Sequence, residues 1–146
     1  MIKKTNTLVA DYHFISRQDS AVNTDGEDFE QKWQQYLDGM EEPPLRVGEQ
    51  PTIFILKHLS STDLDLVREV GMQTSAHAAM LLACAIGLKG AKNWLDGKDH
   101  TFRRDVVNDL VTPVEVVVKD ELDKLDGEVR IEIGQRVLQA ATPRPN

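Results

Sequence analysis

Four histidines are the side chains in this sequence best suited to acid–base chemistry or metal binding: His13, His58, His77 and His100. A zinc site needs ligand pairs such as Cys-x-x-Cys or His-x-x-x-His, and none of the four has a partner at such a spacing. The nearest approach is that of His77 and Cys84, seven residues apart in an apolar segment typical of a protein core. We therefore expect structural side chains at these positions, with no metal and no other cofactor.

The acidic run from Asp120 to Asp126 is a candidate for the paired carboxylates that act as general acid and base in some enzymes. If this run is helical, its aspartates fall opposite an apolar stripe and alternate with Lys119 and Lys124. Such a pattern indicates a solvated helix face. We expect no catalytic carboxylates here.

Two glycine-containing segments match ion or phosphate sites only in composition. Residues 23–26, Asn-Thr-Asp-Gly, have the oxygens and glycine of a calcium loop, but that register places Ala21 and Lys32 where carboxylates are needed. Residues 87–90, Gly-Leu-Lys-Gly, lack the Gly-Lys-Ser or Gly-Lys-Thr ending of a phosphate-binding loop. The hydroxyls of residues 60–62 lie near His58 but suit helix caps better than a nucleophile. The sequence thus predicts a protein that is not an enzyme.

Charge and composition exclude further classes of function. The chain has 146 residues, 17 basic and 24 acidic, with a formal net charge of −7 that repels nucleic acids and anionic membranes. The apolar segment from Ala76 to Leu88 is too short to cross a bilayer. A single cysteine and the lack of a signal peptide favour a reducing cytoplasm. We expect one domain, residues 1–146, that binds neither nucleic acid nor membrane.

Any functional residue must be positioned by helices and strands. Two strands are predicted in the N-terminal part of the chain, over residues 7–15 and 52–59, because both segments are rich in β-favouring side chains. A short amphipathic helix over 27–37 separates them, and residues 16–26 and 39–50 are predicted loops or linkers. Pairing of the two strands would give a small N-terminal β element that needs a helix packed on one face.

Helices are predicted for most of the remaining chain. Residues 60–63 cap a helix that ends near Gly71, and the next helix, 76–88, is apolar all round, which is typical of the centre of a bundle. Residues 89–100 are predicted to form a loop, and a short segment with helical spacing of its apolar residues follows. Residues 112–115, Thr-Pro-Val-Glu, combine a helix-starting proline with a capping box, and a last helix carries an apolar stripe to Ala141. The predicted fold is α+β but mostly α, a helical bundle around the 76–88 helix with a two-stranded N-terminal β element.

Two segments resemble parts of a known family. Residues 51–70, PTIFILKHLSSTDLDLVREV, form a strand that ends in a Leu-Ser step and runs into an acidic, leucine-bearing helix. Residues 128–141, EVRIEIGQRVLQAA, form a closing helix with an Ile-Gly step followed by an apolar pair. Both are similar to small tail-assembly proteins of long-tailed bacteriophages. The resemblance implies a chaperone that coats the tape-measure protein during tail-tube polymerisation, with no cofactor and no active site.

Four residues are candidates for the partner interface of such a protein. Trp33 and Tyr36 lie in an N-terminal extension that departs from the family pattern, while Val116 and Ile131 lie off the apolar stripes of their predicted helices. The extension leaves open an alternative role as a permanent virion subunit of the neck, tail or baseplate. A small enzyme of unknown chemistry is the third class.

These roles carry expectations about partners and location. The expected partners are other phage proteins, such as the tape-measure, tail or neck proteins, and a homo-oligomer is a further expectation. The expected location is the host cytoplasm, with the virion as the alternative.

Overall fold

The computed structural model describes residues 10–108 and 113–141, which form helices and strands in mixed order. The helices are α1 Phe29–Leu37, α2 Ser61–Gln73, α3 Ala76–Gly87, α4 Lys119–Leu122 and α5 Gly127–Ala141. The strands are β1 Tyr12–Phe14, β2 Ile53–Leu56, β3 Leu88–Leu95, β4 Lys98–Thr101, β5 Arg104–Val107 and β6 Val114–Val117.

Within the described residues, four strands form an antiparallel sheet in the order β1-β2-β3-β4. The predicted pairing of the first two strands is confirmed, with Tyr12 opposite Leu56 and Phe14 opposite Phe54. Strands β3 and β4 are joined by Asp96 and Gly97, whose φ angles of 52° and 76° suit a two-residue turn between twisted strands. Strands β5 and β6 form a second antiparallel pair that follows directly along the chain.

The predicted starts of two helices are confirmed by their caps. The Ser60 side chain accepts a hydrogen bond from the Asp63 amide at 3.1 Å, and that of Ser75 accepts one from the Ala78 amide at 3.0 Å. Each cap satisfies an amide that the first helical turn leaves without a partner. Helices α2 and α3 therefore start where the hydroxyl residues indicate.

Helix α3 lies at the centre of the helical layer and contacts α5 closely. A Cβ atom at Gly134 would lie 1.9 Å from the carbonyl oxygen of Met80, and one at Gly87 would lie 2.6 Å from a methyl group of Val137. Glycine is therefore required at position 134, where α5 meets the backbone of α3, and at position 87 a larger residue would displace the Val137 side chain. Ile86 of α3 and Ile133 of α5 are fully buried in the same core.

The predicted fold class is wrong: the chain is not a helical bundle with a two-stranded β element. Residues 89–100, predicted to be a loop, form most of the β3–β4 hairpin, which doubles the width of the sheet. Glycine, asparagine and aspartate give this segment a low local preference for strands. It is held by pairing with β2 and by Asn93, whose side chain donates to the carbonyl groups of Gln50 and Pro51 at 2.9 and 3.2 Å.

The helix predicted to start at residues 112–115 is also wrong. Thr112 lies outside the described residues, as do residues 7–9 of the first predicted strand, and Val114–Val117 forms β6. Three valines favour a strand over a helix, and Glu115, placed in the predicted capping box, pairs with Arg104 of β5 at 2.7 Å. The guanidinium of Arg104 also donates to the carbonyl groups of Ile86 and Leu88, both at 2.6 Å. This contact joins the second hairpin to the end of α3.

The structure describes every residue of the two segments predicted as loops or linkers, 16–26 and 39–50. Neither segment contains a helix or a strand. They meet in an isolated antiparallel bridge between Val22 and Leu45. Val22 is buried together with Ile15, Phe29 and Trp33 in a small apolar cluster beside the main core.

Candidate functional site

A groove with a volume of about 520 Å³ lies between α1, α5 and the turn that follows β1. Its floor is apolar and its rim is polar. Its lining comprises Phe14, Arg17, Gln18, Trp33, Leu37, His77, Gly127, Glu128, Ile131, Glu132, Gln135, Arg136 and Gln139.

Helix α5 forms one wall of the groove, because one of its faces packs against the core and another faces the groove. Ile133, Gly134 and Val137 face the core and are buried. Ile131 and Gln135, four residues apart on another side of the helix, line the groove. A helix places residues at that spacing on one face, so the groove follows the length of α5.

Helix α1 forms the opposite wall and is anchored by aromatic side chains. Trp33 is 5% exposed, with its ring centroid 6.0 Å from that of Phe29 and 5.0 Å from that of Tyr36. Large side chains packed in this way carry substantial burial free energy and little freedom. The edge of Trp33 that reaches the groove is therefore held in place.

Hydrogen bonds fix the walls relative to one another. Glu132 of α5 accepts from the Ser16 hydroxyl at 2.9 Å and from the Arg17 amide at 2.5 Å. The Ile15 amide donates to the Tyr36 hydroxyl at 2.8 Å, which joins β1 to α1. Burial raises the pKa of Glu132, and the two donors and the Arg17 charge partly offset that effect.

A further contact joins α5 to the end of α1. The Arg136 guanidinium donates to the carbonyl oxygen of Leu37 at 2.6 Å. Carbonyl groups in the last turn of a helix lack internal partners, and a cation there also interacts favourably with the helix dipole. The groove is therefore preformed, with its walls joined by hydrogen bonds from three elements.

Three of the four predicted interface residues come together at this site. Trp33 and Ile131 line the groove, and Tyr36 packs against Trp33. Val116 does not join them: it lies on β6 and packs against the main core. Sequence reasoning missed the polar rim, since the contact between Glu132 and Ser16 spans 116 residues and leaves no local pattern.

A second polar cluster lies apart from the groove and contains a histidine. Glu121 is 6% exposed, and its carboxylate lies 2.5 Å from His100 Nε2 and 3.0 Å from Lys124 Nζ. Burial acts to raise the pKa of Glu121, but the hydrogen bonds and charges of His100 and Lys124 outweigh it and lower the pKa to about 2. The His100 ring is stacked on Trp94 at 5.9 Å between centroids.

This cluster adds a buried carboxylate to the acidic run, whose aspartates are predicted to form a solvated face. Asp120, Asp123 and Asp126 are exposed as expected, but Glu121 is buried and connects α4 to β4. The sequence gives no sign of the contact, because Glu121 and His100 are 21 residues apart. The geometry is that of a structural ion pair.

Other candidate chemistry is limited in the described part of the chain. Cys84 is buried, and burial raises the pKa of its thiol to about 12, so the reactive thiolate is strongly disfavoured. Over residues 10–108 and 113–141, no group of three or more His, Cys, Asp or Glu side chains could hold a metal ion. Within the same ranges, no helix combines the length and apolar character needed to span a membrane.

Comparisons with protein-family models, with curated proteins and with solved structures find no match to this chain.

Proposed function

We propose that this chain is a non-enzymatic bacteriophage morphogenesis protein, similar to a tail assembly chaperone, that binds a segment of another tail protein. The observation that carries the proposal is the preformed groove between α1 and α5, with an apolar floor and a polar rim. Interfaces of this composition bind peptide segments through a few buried anchors surrounded by polar contacts.

The groove suits protein binding better than catalysis. Leu37 and Ile131, both half-buried, supply accessible apolar surface over the almost fully buried Phe14 and Trp33, and Gln135 and Gln139 supply amide donors and acceptors at the rim. Glu132 and Arg136 already hold structural hydrogen bonds. The lining therefore offers a ligand a surface for contact. It does not offer a nucleophile held by a base.

The phage assignment rests on the two segments of the sequence that resemble tail-assembly proteins. Residues 128–141 belong to α5, which supplies one wall of the groove. Residues 51–70 cover β2 and most of α2, which belong to the main core. The part of the chain that resembles the family therefore includes the surface to which we assign binding.

The proposal predicts that blocking the groove stops tail assembly. Ile131→Glu, made in the phage or prophage that carries this gene, places an unpaired charge against the apolar floor, and we expect a loss of complete tails in electron micrographs. Val47→Glu is the matched control, because Val47 is fully exposed, at 102%, and lies outside the groove. Normal tails with Ile131→Glu, in a variant that melts like the parent, would contradict the groove assignment.

Mass spectrometry of purified particles separates the two phage roles. A chaperone is expected in cell extracts during assembly and absent from finished particles. A neck, tail or baseplate subunit is expected in particles at a fixed copy number. Abundant copies in the particle would overturn the chaperone role in favour of the structural subunit.

A further inference from the structure

We infer that the groove binds an amphipathic α-helix of the partner protein, with apolar side chains at helical spacing and a lysine or arginine opposite Glu128. This inference rests on the proposed protein-binding role and adds the chemistry of the partner.

The length and walls of the groove favour a helical partner. The groove-lining residues of α5 run from Gly127 to Gln139, which is about 18 Å along a helix axis at 1.5 Å per residue. Helices bound in grooves place apolar side chains at positions i, i+3 or i+4, and i+7, which span two turns. The α5 wall is long enough to contact all three.

An extended partner would need free backbone donors at a strand edge. Beside the groove, the Ile15 amide already donates to Tyr36 and the Arg17 amide already donates to Glu132. Addition of a strand would have to break these contacts. The chain therefore offers side chains to the partner here, and not a backbone ladder.

The charges on the groove favour a basic residue in the partner. Arg17 pairs with Glu30, and the carboxylate of Glu132 accepts two hydrogen bonds from the turn after β1. Arg136 has no ion-pair partner among the described residues, but it is half-buried in the wall, where it donates to a backbone carbonyl and its Nε is buried without a hydrogen-bond partner. Glu128, in contrast, is exposed on the rim and has no ion-pair partner among the described residues. With a formal net charge of −7, the chain also attracts cationic segments over a longer range.

The test is a selection from a displayed library of random 16-residue peptides against the full chain. We expect the selected peptides to carry apolar residues at helical spacing with a lysine or arginine near one end. Their affinity should fall about tenfold with Glu128→Lys, which replaces an attraction with a repulsion. Asp65→Lys is the matched control, since Asp65 is an exposed helical acid of α2 outside the groove, and it should change the affinity less than about twofold.

Two groove variants show whether binding occurs at this site. Ile131→Glu should abolish binding, and Gln135→Trp should do the same by filling the groove without removing a buried side chain, since Gln135 is exposed. Circular dichroism of the bound peptides should show helix. Both variants must melt like the parent, and Gln135→Trp keeps the test valid if Ile131→Glu unfolds.

Several results would overturn the inference. Groove-dependent peptides that are extended or lack basic residues would reject the basic helix while leaving the protein-binding role intact. An empty selection, or equal effects of Glu128→Lys and Asp65→Lys, would also reject it. A dimer in light scattering that Ile131→Glu abolishes would assign the groove to a second copy of the chain. The proposed function is tested by a separate experiment: normal tails in the phage that carries Ile131→Glu would contradict it.

Discussion

Glu121 shows how a single side chain can hold two elements together. Its carboxylate contacts His100 of β4 and, three residues further along its own segment, Lys124. A carboxylate as little exposed as this one is costly unless it is hydrogen-bonded and paired. Its two partners meet that requirement and lower the pKa of Glu121 to about 2, from an ordinary value of 4.5.

The lowered pKa of Glu121 predicts a loss of stability in acid. A folded pKa below the unfolded value means that the stabilisation is fully present above about pH 4.5 and disappears as the pH falls towards about 2. Glu121→Gln should reduce the free energy of unfolding at pH 7 by about 1–3 kcal/mol. Urea denaturation across this range should show the difference between parent and variant shrinking as the pH falls.

Asp123→Asn is the control for this prediction. Asp123 belongs to the same acidic run but is exposed and has no ion-pair partner among the described residues. Its substitution should leave the pH dependence of stability unchanged. If the Glu121→Gln difference stays constant from pH 7 to pH 2, the carboxylate does not supply the stabilisation.

At the scale of elements, local sequence signals predicted α1, α2 and α3, but they failed at residues 112–115, where a capping-box pattern precedes strand β6. The period of Phe29, Trp33 and Tyr36 predicted α1, and serine caps predicted the starts of α2 and α3. A helix makes its hydrogen bonds within a few residues of itself, so its signals lie within one stretch of sequence.

Strands β3 and β4 were missed although Asp96-Gly97, which joins them, is a dipeptide typical of a two-residue hairpin turn. Further support for β3 and β5 comes from distant parts of the chain, which no local signal shows. Asn93 adopts a left-handed φ of 54° within β3 and is held by the loop before β2. Arg104 fixes β5 by binding the end of α3. The same limit applies to the groove: the structure brings Trp33, Tyr36 and Ile131, three of the predicted interface residues, close together, but no local pattern showed that α1 and α5 would meet.

The close contact between α3 and α5 predicts that one added methyl group at Gly134 will lower the free energy of unfolding substantially. In Gly134→Ala the new Cβ would meet the Met80 carbonyl oxygen at 1.9 Å, and backbone cannot move aside as a flexible side chain can. We expect the free energy of unfolding to fall by about 3 kcal/mol, at the upper end for overpacked cores. Urea denaturation of parent and variant measures the change.

Gly127→Ala provides the matched control at the start of the same helix. No atom lies within 4 Å of a Cβ placed there, so alanine should leave stability unchanged or raise it by less than about 1 kcal/mol. Equal stabilities for the two variants would mean that α5 does not contact α3 through Gly134.

For the molecule as a whole, the described residues contain two apolar clusters, one in the main core and one around Trp33. Tyr36 and Leu37 pack against both clusters. Two hydrogen bonds of α5 also join the smaller cluster to the helical layer: Glu132 accepts from the Arg17 amide, and Arg136 donates to the Leu37 carbonyl. These shared contacts couple the clusters energetically, which is the physical basis for expecting one domain.

That coupling predicts a single unfolding transition, which the two tryptophans can report separately. Trp33 lies in the smaller cluster, whereas Trp94 packs against Phe54 and Phe102 of the main core. In Trp94→Phe the fluorescence follows the smaller cluster, and in Trp33→Phe it follows the main core. Within each variant, the fluorescence midpoint in urea should coincide with the circular dichroism midpoint, as a cooperative chain of this size requires. An earlier fluorescence midpoint in Trp94→Phe would show that α1 and its cluster open independently, and one wall of the groove would then be adaptable instead of preformed.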